Sequence, residues 1–184
     1  MYHDVLIAGF GGQGVLFMGN LLAQAGMEEG LQVTFMPAYG VEMRGGTANC
    51  NVILSSEEIG SPISDNPVSG LMMNEAALVR FLKSIQDQGF LFFNSSLVPA
   101  GKVSRQDVQC VAVPANDLAK RVGSDQMAGL VMVGCFVEWT GVLPIASLPR
   151  AMEAMLSPKA REKFLALNLA AIEEGVRFAR ELKG

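Results

Sequence analysis

A chain of 184 residues with 50% hydrophobic content is long enough to bury roughly 70% of its unfolded surface in a single domain, so its core needs no covalent staple. Only 17% of the residues are charged, below the usual ~25%, which fits a large core, a surface covered by another chain, or both. The net charge of −4 argues against DNA or RNA as a general partner, because phosphate recognition needs clustered Lys and Arg.

Cys50, Cys110 and Cys135 lie far apart and form no CxxC or CxxxC pair, hence no zinc or iron–sulfur signature. An odd cysteine count without a signal peptide fits a reducing cytoplasm, and a cytoplasmic location is expected. The sole histidine is His3, so a mechanism built on a His base has almost nothing to use.

In chain order, Val5 to Gly9 is an apolar run without helical period, read as a buried parallel strand. Gly14 to Glu29 reads as a helix buried on most faces and closed by Gly30, and Val33 to Met36 as a strand ended by Pro37. That order makes a βαβ unit. Ala48 to Ser55 alternates loosely and reads as a third strand; Glu57 to Asn66 is turn-rich; Leu71 to Met73 is short and apolar. Asn74 can cap a helix from Glu75 to about Gln86. Gly89 to Phe93 and Val108 to Val113 read as strands, and Asn116 or Asp117 as the start of a short helix through Arg121. The run Met127 to Gly141 reads as a buried helix, too short in its apolar part for the ~20 residues a membrane span needs. Ser147 to Leu156 is a short helix, and Ser157 with Pro158 opens a long one whose apolar face carries Phe164, Leu165, Leu169, Ile172 and Val176. The expected fold is α/β: a Rossmann-like three-layer domain over residues 1–184, with a mostly parallel sheet and a helical C-terminal end.

Two loops carry the candidate chemistry. Gly9, Gly11 and Gly14 satisfy G-x-G-x-x-G between a strand and a helix, where glycines let an anion reach the backbone amides. The alternative is that they only permit close strand–helix packing. Gln13 exposes an amide that could meet a ligand or a partner backbone. The second strand ends without the acidic residue that holds a ribose in dinucleotide folds, which weakens an NAD reading. No Lys follows in G-x-x-x-x-G-K-[ST] form, so this is no nucleoside triphosphate loop. Arg44 is the only Lys or Arg before Arg80, within Tyr39-Gly-Val-Glu-Met-Arg-Gly-Gly46. One guanidinium flanked by glycines suits a single anionic group on a ligand, a partner or this chain, with Glu42 as the internal candidate. Asn94, Ser95 and Ser96 end a strand on the same expected edge, as turn and capping residues or as polar contacts to a ligand or a partner subunit.

With these two motifs, the Phe90–Asn94 strand and the apolar helix around Met127–Gly134, the chain resembles over nearly its whole length the gamma subunit of 2-oxoacid:ferredoxin (acceptor) oxidoreductases. The resemblance implies a holoenzyme that oxidatively decarboxylates a 2-oxoacid, captures the acyl group on coenzyme A and passes electrons through iron–sulfur clusters to ferredoxin. It implies thiamine diphosphate with its Mg in alpha and beta subunits, clusters in other subunits such as a ferredoxin-like one, and a non-chemical role for this chain. The absence of a G-D-G stretch and of a cysteine set agrees with that division. Glu42-Met-Arg-Gly-Gly-Thr-Ala looks nearer the 2-oxoglutarate or branched-chain versions than the pyruvate ones. On this reading Gly11, Gly12, Gln13, Gly14, Tyr39, Glu42, Arg44, Gly45, Gly46, Asn94 and Ser95 form a surface that helps hold coenzyme A, the two N-terminal loops lying side by side on adjacent strands. The eleven methionines are mainly core, with an expected subunit interface near the Met127 helix or the Met43 loop. The chain alone would then self-associate, a homodimer being one form. A stand-alone dinucleotide-binding redox protein and a purely structural scaffold subunit are the rival readings.

Overall fold

The computed structural model describes residues 1–39 and 47–184, Tyr39 by its backbone only. The elements run β1 (Tyr2–Phe10), α1 (Val15–Glu28), β2 (Gln32–Tyr39), β3 (Thr47–Ser55), β4 (Ser69–Met72), α2 (Glu75–Phe81), β5 (Phe90–Asn94), β6 (Gln109–Val113), α3 (Ala115–Arg121), α4 (Ala128–Thr140), α5 (Ser147–Met155) and α6 (Pro158–Lys183). A six-stranded sheet in the order β2-β3-β1-β4-β5-β6 carries α1 and α3–α6 on one face and α2 on the other. The expected α/β fold with a mostly parallel sheet and helical C-terminal end is what forms. Five strands point one way, and β3 runs antiparallel to both β1 and β2.

That reversed strand corrects the simple βαβ expectation. β1 and β2 are parallel in direction but β3 lies between them, so the two N-terminal loops do not leave adjacent strands. The reason is chain length. Only residues 40–46 separate β2 from β3, whereas a parallel return needs a crossover of a dozen or more residues. Pro37 does not end β2. It pairs with Cys50 on the outermost strand of the described sheet, where a missing N–H can face away from the ladder. Leu71 and Met72, read only as apolar, form the second half of β4, buried at the centre, and Met73 follows it. The helix after Asn74 stops at Phe81 and tightens into a 3-10 turn at Leu82–Ser84 instead of running to Gln86.

The C-terminal helices form by ordinary capping and burial. Ser157 accepts from the Ala160 amide with Pro158 in the first turn. Every residue of α4 from Ala128 to Val137 is buried. The buried rail of α6 is Asn168, Ala171, Ile172, Gly175, Val176 and Ala179. Phe164, expected on that rail, is instead 41% exposed. Small residues let the two helices touch by backbone: a Cβ added to Gly134 would lie 2.2 Å from the Ile172 carbonyl oxygen, and one on Gly175 2.0 Å from that of Val131. Among the described residues no helix is long and apolar enough to cross a membrane.

His3 sits at the sheet edge opposite the glycine loop. Its Nε2 is 2.8 Å from Ser69 Oγ and its ring lies tilted against Phe136. Burial pushes its pKa below the ordinary 6.5, against the opposing pull of Asp4. The unfolded chain therefore takes up the proton first, and stability falls as pH drops below 6.5 towards the lower folded value. His3→Gln should flatten this part of the stability–pH curve, measured by urea unfolding at several pH values. Gly175→Ala should cost about 1–3 kcal/mol or more from overpacking against the α4 backbone, read as a lower urea midpoint with unchanged slope.

Candidate functional site at the C-terminal edge of the sheet

The chain leaves β1 through α1 on one face and β4 through α2 on the other, so the crevice between these strands is the switch point where open α/β sheets hold ligands. Here a side chain fills it. Gln13 Oε1 accepts from the Phe10 amide at 2.7 Å and from Asn74 Nδ2 at 2.7 Å. Its Nε2 donates to the Met73 carbonyl at 3.3 Å. Gly9 is small to make room: a Cβ there would lie 2.7 Å from Gln13 Oε1 and 2.9 Å from Met73 Cβ.

The amide pairing continues along the edge. Asn74 Oδ1 caps α2 by accepting from Ala77 N at 2.8 Å. Asn94, fully buried, donates from Nδ2 to the Met73 carbonyl at 3.3 Å and to Asn116 Oδ1 at 2.7 Å, and its oxygen accepts from Ser96 N at 3.3 Å. Ser95 N donates to the Val113 carbonyl at 2.8 Å, and Ser96 Oγ to Asp117 at 2.9 Å. The geometry thus spends Gln13 and Asn94 largely on holding β1, β4, β5 and α3 together, and the Asn94–Ser96 group has the turn-and-capping arrangement.

The loop glycines do different jobs. Gly9 allows packing, whereas Gly12 and Gly14 have φ of 95° and 75° with nothing within 4 Å of an added Cβ. Gly14 caps α1 without a side chain, so among the described residues no side-chain acceptor covers the first-turn amides there. Gly11, Gly12 and Gly14 are all exposed. The predicted contacts Glu42, Arg44, Gly45 and Gly46, with Met43, lie outside the described residues, as does the side chain of Tyr39.

Three clefts border Gln13, the smallest of about 180 Å³ beside Met73, Asn116 and Asp125. On the α2 side, a cleft of about 710 Å³ is lined by Phe10, Asn74, Val79, Arg80 and Leu97. On the α1–α4–α6 side, one of about 500 Å³ is mostly apolar. Arg80 escaped the sequence reading. Its Nη1 donates to Thr47 Oγ1 at 3.3 Å and its guanidinium stacks 5.0 Å from the Phe81 ring centroid. Among the described residues it has no ion pair. Its position, the next Lys or Arg after Arg44 and within the helix capped by Asn74, was the available signal.

Among the described residues, nothing at this edge is built for covalent or proton-transfer chemistry. Burial pushes the Cys50 and Cys135 thiols up to about 12, which removes them as thiolates. Glu75 is paired with Lys102 at 2.8 Å. Among the described residues no group of His, Cys, Asp and Glu could hold a metal ion, so they do not fit a thiamine diphosphate metal or an iron–sulfur cluster.

Residues 4–178 match the family described as pyruvate ferredoxin/flavodoxin oxidoreductase. The chain belongs to this family. It is similar to the ketoisovalerate oxidoreductase subunit VorA of Methanothermobacter thermautotrophicus, at 38% identity over 179 residues. That alignment takes in 96% of this chain but only 36% of the relative, so the chain spans about a third of that protein. Among solved structures it resembles the gamma subunit of a keto/oxoacid ferredoxin oxidoreductase from Geobacter sulfurreducens, with TM-score 0.83, 26% identity, and 97% and 99% of the two chains covered. It also has the fold of part of the 2-oxoglutarate:ferredoxin oxidoreductase from Magnetococcus marinus, a structure with 2-oxoglutarate, coenzyme A and succinyl-CoA bound. There the TM-score is 0.86 at 22% identity, with 98% of this chain and 31% of the other covered.

Gln13 gives the site a direct test. Gln13→Glu keeps an acceptor for Phe10 and Asn74 but sets a carboxylate against the Met73 carbonyl. The variant should lose about 1–3 kcal/mol at neutral pH. It should recover part of that as the introduced carboxylate protonates on acidification, the opposite of the wild-type trend, measured by thermal unfolding between pH 7 and 4.5.

Proposed function

We propose that this chain is the gamma component of a multisubunit 2-oxoacid:ferredoxin oxidoreductase. The complex decarboxylates a 2-oxoacid, transfers the acyl group to coenzyme A and sends two electrons to ferredoxin. Thiamine diphosphate with Mg belongs to alpha and beta subunits, and clusters to a ferredoxin-like one. The chain is a non-chemical subunit: it holds the complex together and positions coenzyme A over the glycine loop.

One observation carries this reading: the family match over residues 4–178 falls on an edge that, among the described residues, has exposed glycines, helix amides without a side-chain cap and Arg80 but no catalytic group. Backbone amides at a helix N-terminus and a guanidinium suit the coenzyme's phosphates, and Arg44 adds a second candidate cation. The apolar lining of the α2-side cleft, with Phe10 39%, Val79 70% and Leu97 47% exposed, suits either the coenzyme's pantetheine arm or an adjoining subunit. The dinucleotide alternative fits less well. With β3 between β1 and β2, an acid at the end of β2 would stand about two strand spacings, ~10 Å, from the loop.

In the assembled complex, Arg44→Ala and Arg80→Gln should each raise KM for coenzyme A roughly tenfold, a loss of about one charged hydrogen bond. KM for the 2-oxoacid should change little. Equal effects on both substrates, or none, would favour the pure scaffold.

A further inference from the structure

We infer that the cleft between α1, α4 and α6 binds an adenine ring, and that Asn168 reads it. Asn168 is only 6% exposed in the middle of α6. Its Nδ2 lies 3.4 Å from Met152 Sδ, and a thioether is a weak acceptor. Its Oδ1 accepts no hydrogen bond from any described residue, yet it is not among the polar atoms sealed off from solvent. Asn168 is one of the residues that line this cleft. A largely buried amide whose oxygen has no protein partner among the described residues is uncommon in a folded chain, and the cleft that Asn168 lines has a volume of about 500 Å³, within the range of small-molecule sites.

The walls select the class of occupant. Phe17, Met127, Leu130, Leu156 and Phe164 line the cleft, with no charged side chain among its lining residues. Phe164 holds its ring 41% exposed beside it. Aromatic and thioether walls suit a flat, neutral ring. An asparagine amide with a free oxygen and a second Nδ2 hydrogen matches the amino donor and ring-nitrogen acceptor along one edge of adenine. Guanine presents two acceptors along that edge and would oppose the oxygen. Gly12 and Gly14 also line the cleft, and the first turn of α1 that Gly14 opens has no side-chain cap, which suits an attached phosphate. The adenine belongs either to a free adenine nucleotide or to the nucleoside end of coenzyme A; the second source rests on the function proposed above.

Binding of AMP, GMP, coenzyme A and 4′-phosphopantetheine to the full chain, by titration calorimetry, tests this. AMP and coenzyme A should bind roughly tenfold or more tightly than GMP. Asn168→Leu should weaken AMP by a similar factor. Phe164→Ala, a change at a partly exposed side chain that spares the fold, should weaken it too, while Val79→Ala in the other cleft should not. Coenzyme A binding far more tightly than AMP identifies the coenzyme as the source, and equal affinities identify a free nucleotide. AMP binding that persists while coenzyme A shows no KM response to Arg80→Gln leaves this site standing and removes the coenzyme reading. No AMP binding, equal AMP and GMP affinities, or indifference to both Asn168→Leu and Phe164→Ala overturns the inference.

Discussion

The side-chain amide of Gln13 is the constraint on which this edge of the molecule depends. It joins the end of β1 to the end of β4 across the switch point, where sheets of this kind usually leave room for a ligand. Each of its contacts is an ordinary hydrogen bond. Their combined effect is geometric. The crevice is filled at Gln13, and the accessible space divides into one cleft against α2, another against α1, α4 and α6, and a smaller one beside Met73 and Asn116. Removing this amide would leave the Phe10 backbone donor and the Asn74 amide without their partner, while the Met73 carbonyl would keep only Asn94, so the energetic penalty exceeds that of a single surface contact.

The reversed strand has a second consequence. It puts the Thr47 end of β3 beside the Phe10 end of β1, where Arg80 of α2 reaches Thr47. A positive charge is thereby held at the rim of the α2-side cleft by a partner two elements away in sequence. The same strand separates the glycine loop from the end of β2, so a glycine pattern resembling a dinucleotide fingerprint sits in a topology that lacks the fingerprint's second half.

The close approach of α4 and α6 through Gly134 and Gly175 decides the other side. Backbones in contact leave no space for large side chains at the crossing. The wider space opens nearer the start of α4 and the first half of α6, where Met127, Leu130, Phe164 and Asn168 meet the glycine loop. Rigid packing of an almost wholly buried α4 gives that cleft a preformed wall.

The sequence by itself determined the element types and the family. Apolar runs, the Asn74 and Ser157 caps and the two glycine motifs are local, and local patterns are printed in consecutive residues. It also contained the sign of β3, since a connection as short as residues 40–46 cannot return a parallel strand, although the βαβ pattern drew attention away from it. Only the tertiary structure decided which polar groups are spent on the fold. Gln13 and Asn94 look equally available in the chain, but their partners Met73, Asn74 and Asn116 lie 21 to 61 positions away. Arg80 and Asn168 were passed over for the converse reason. Each sits inside a helix with nothing in its immediate neighbours to mark it, and its place beside a cleft exists only once strands and helices distant in sequence have packed.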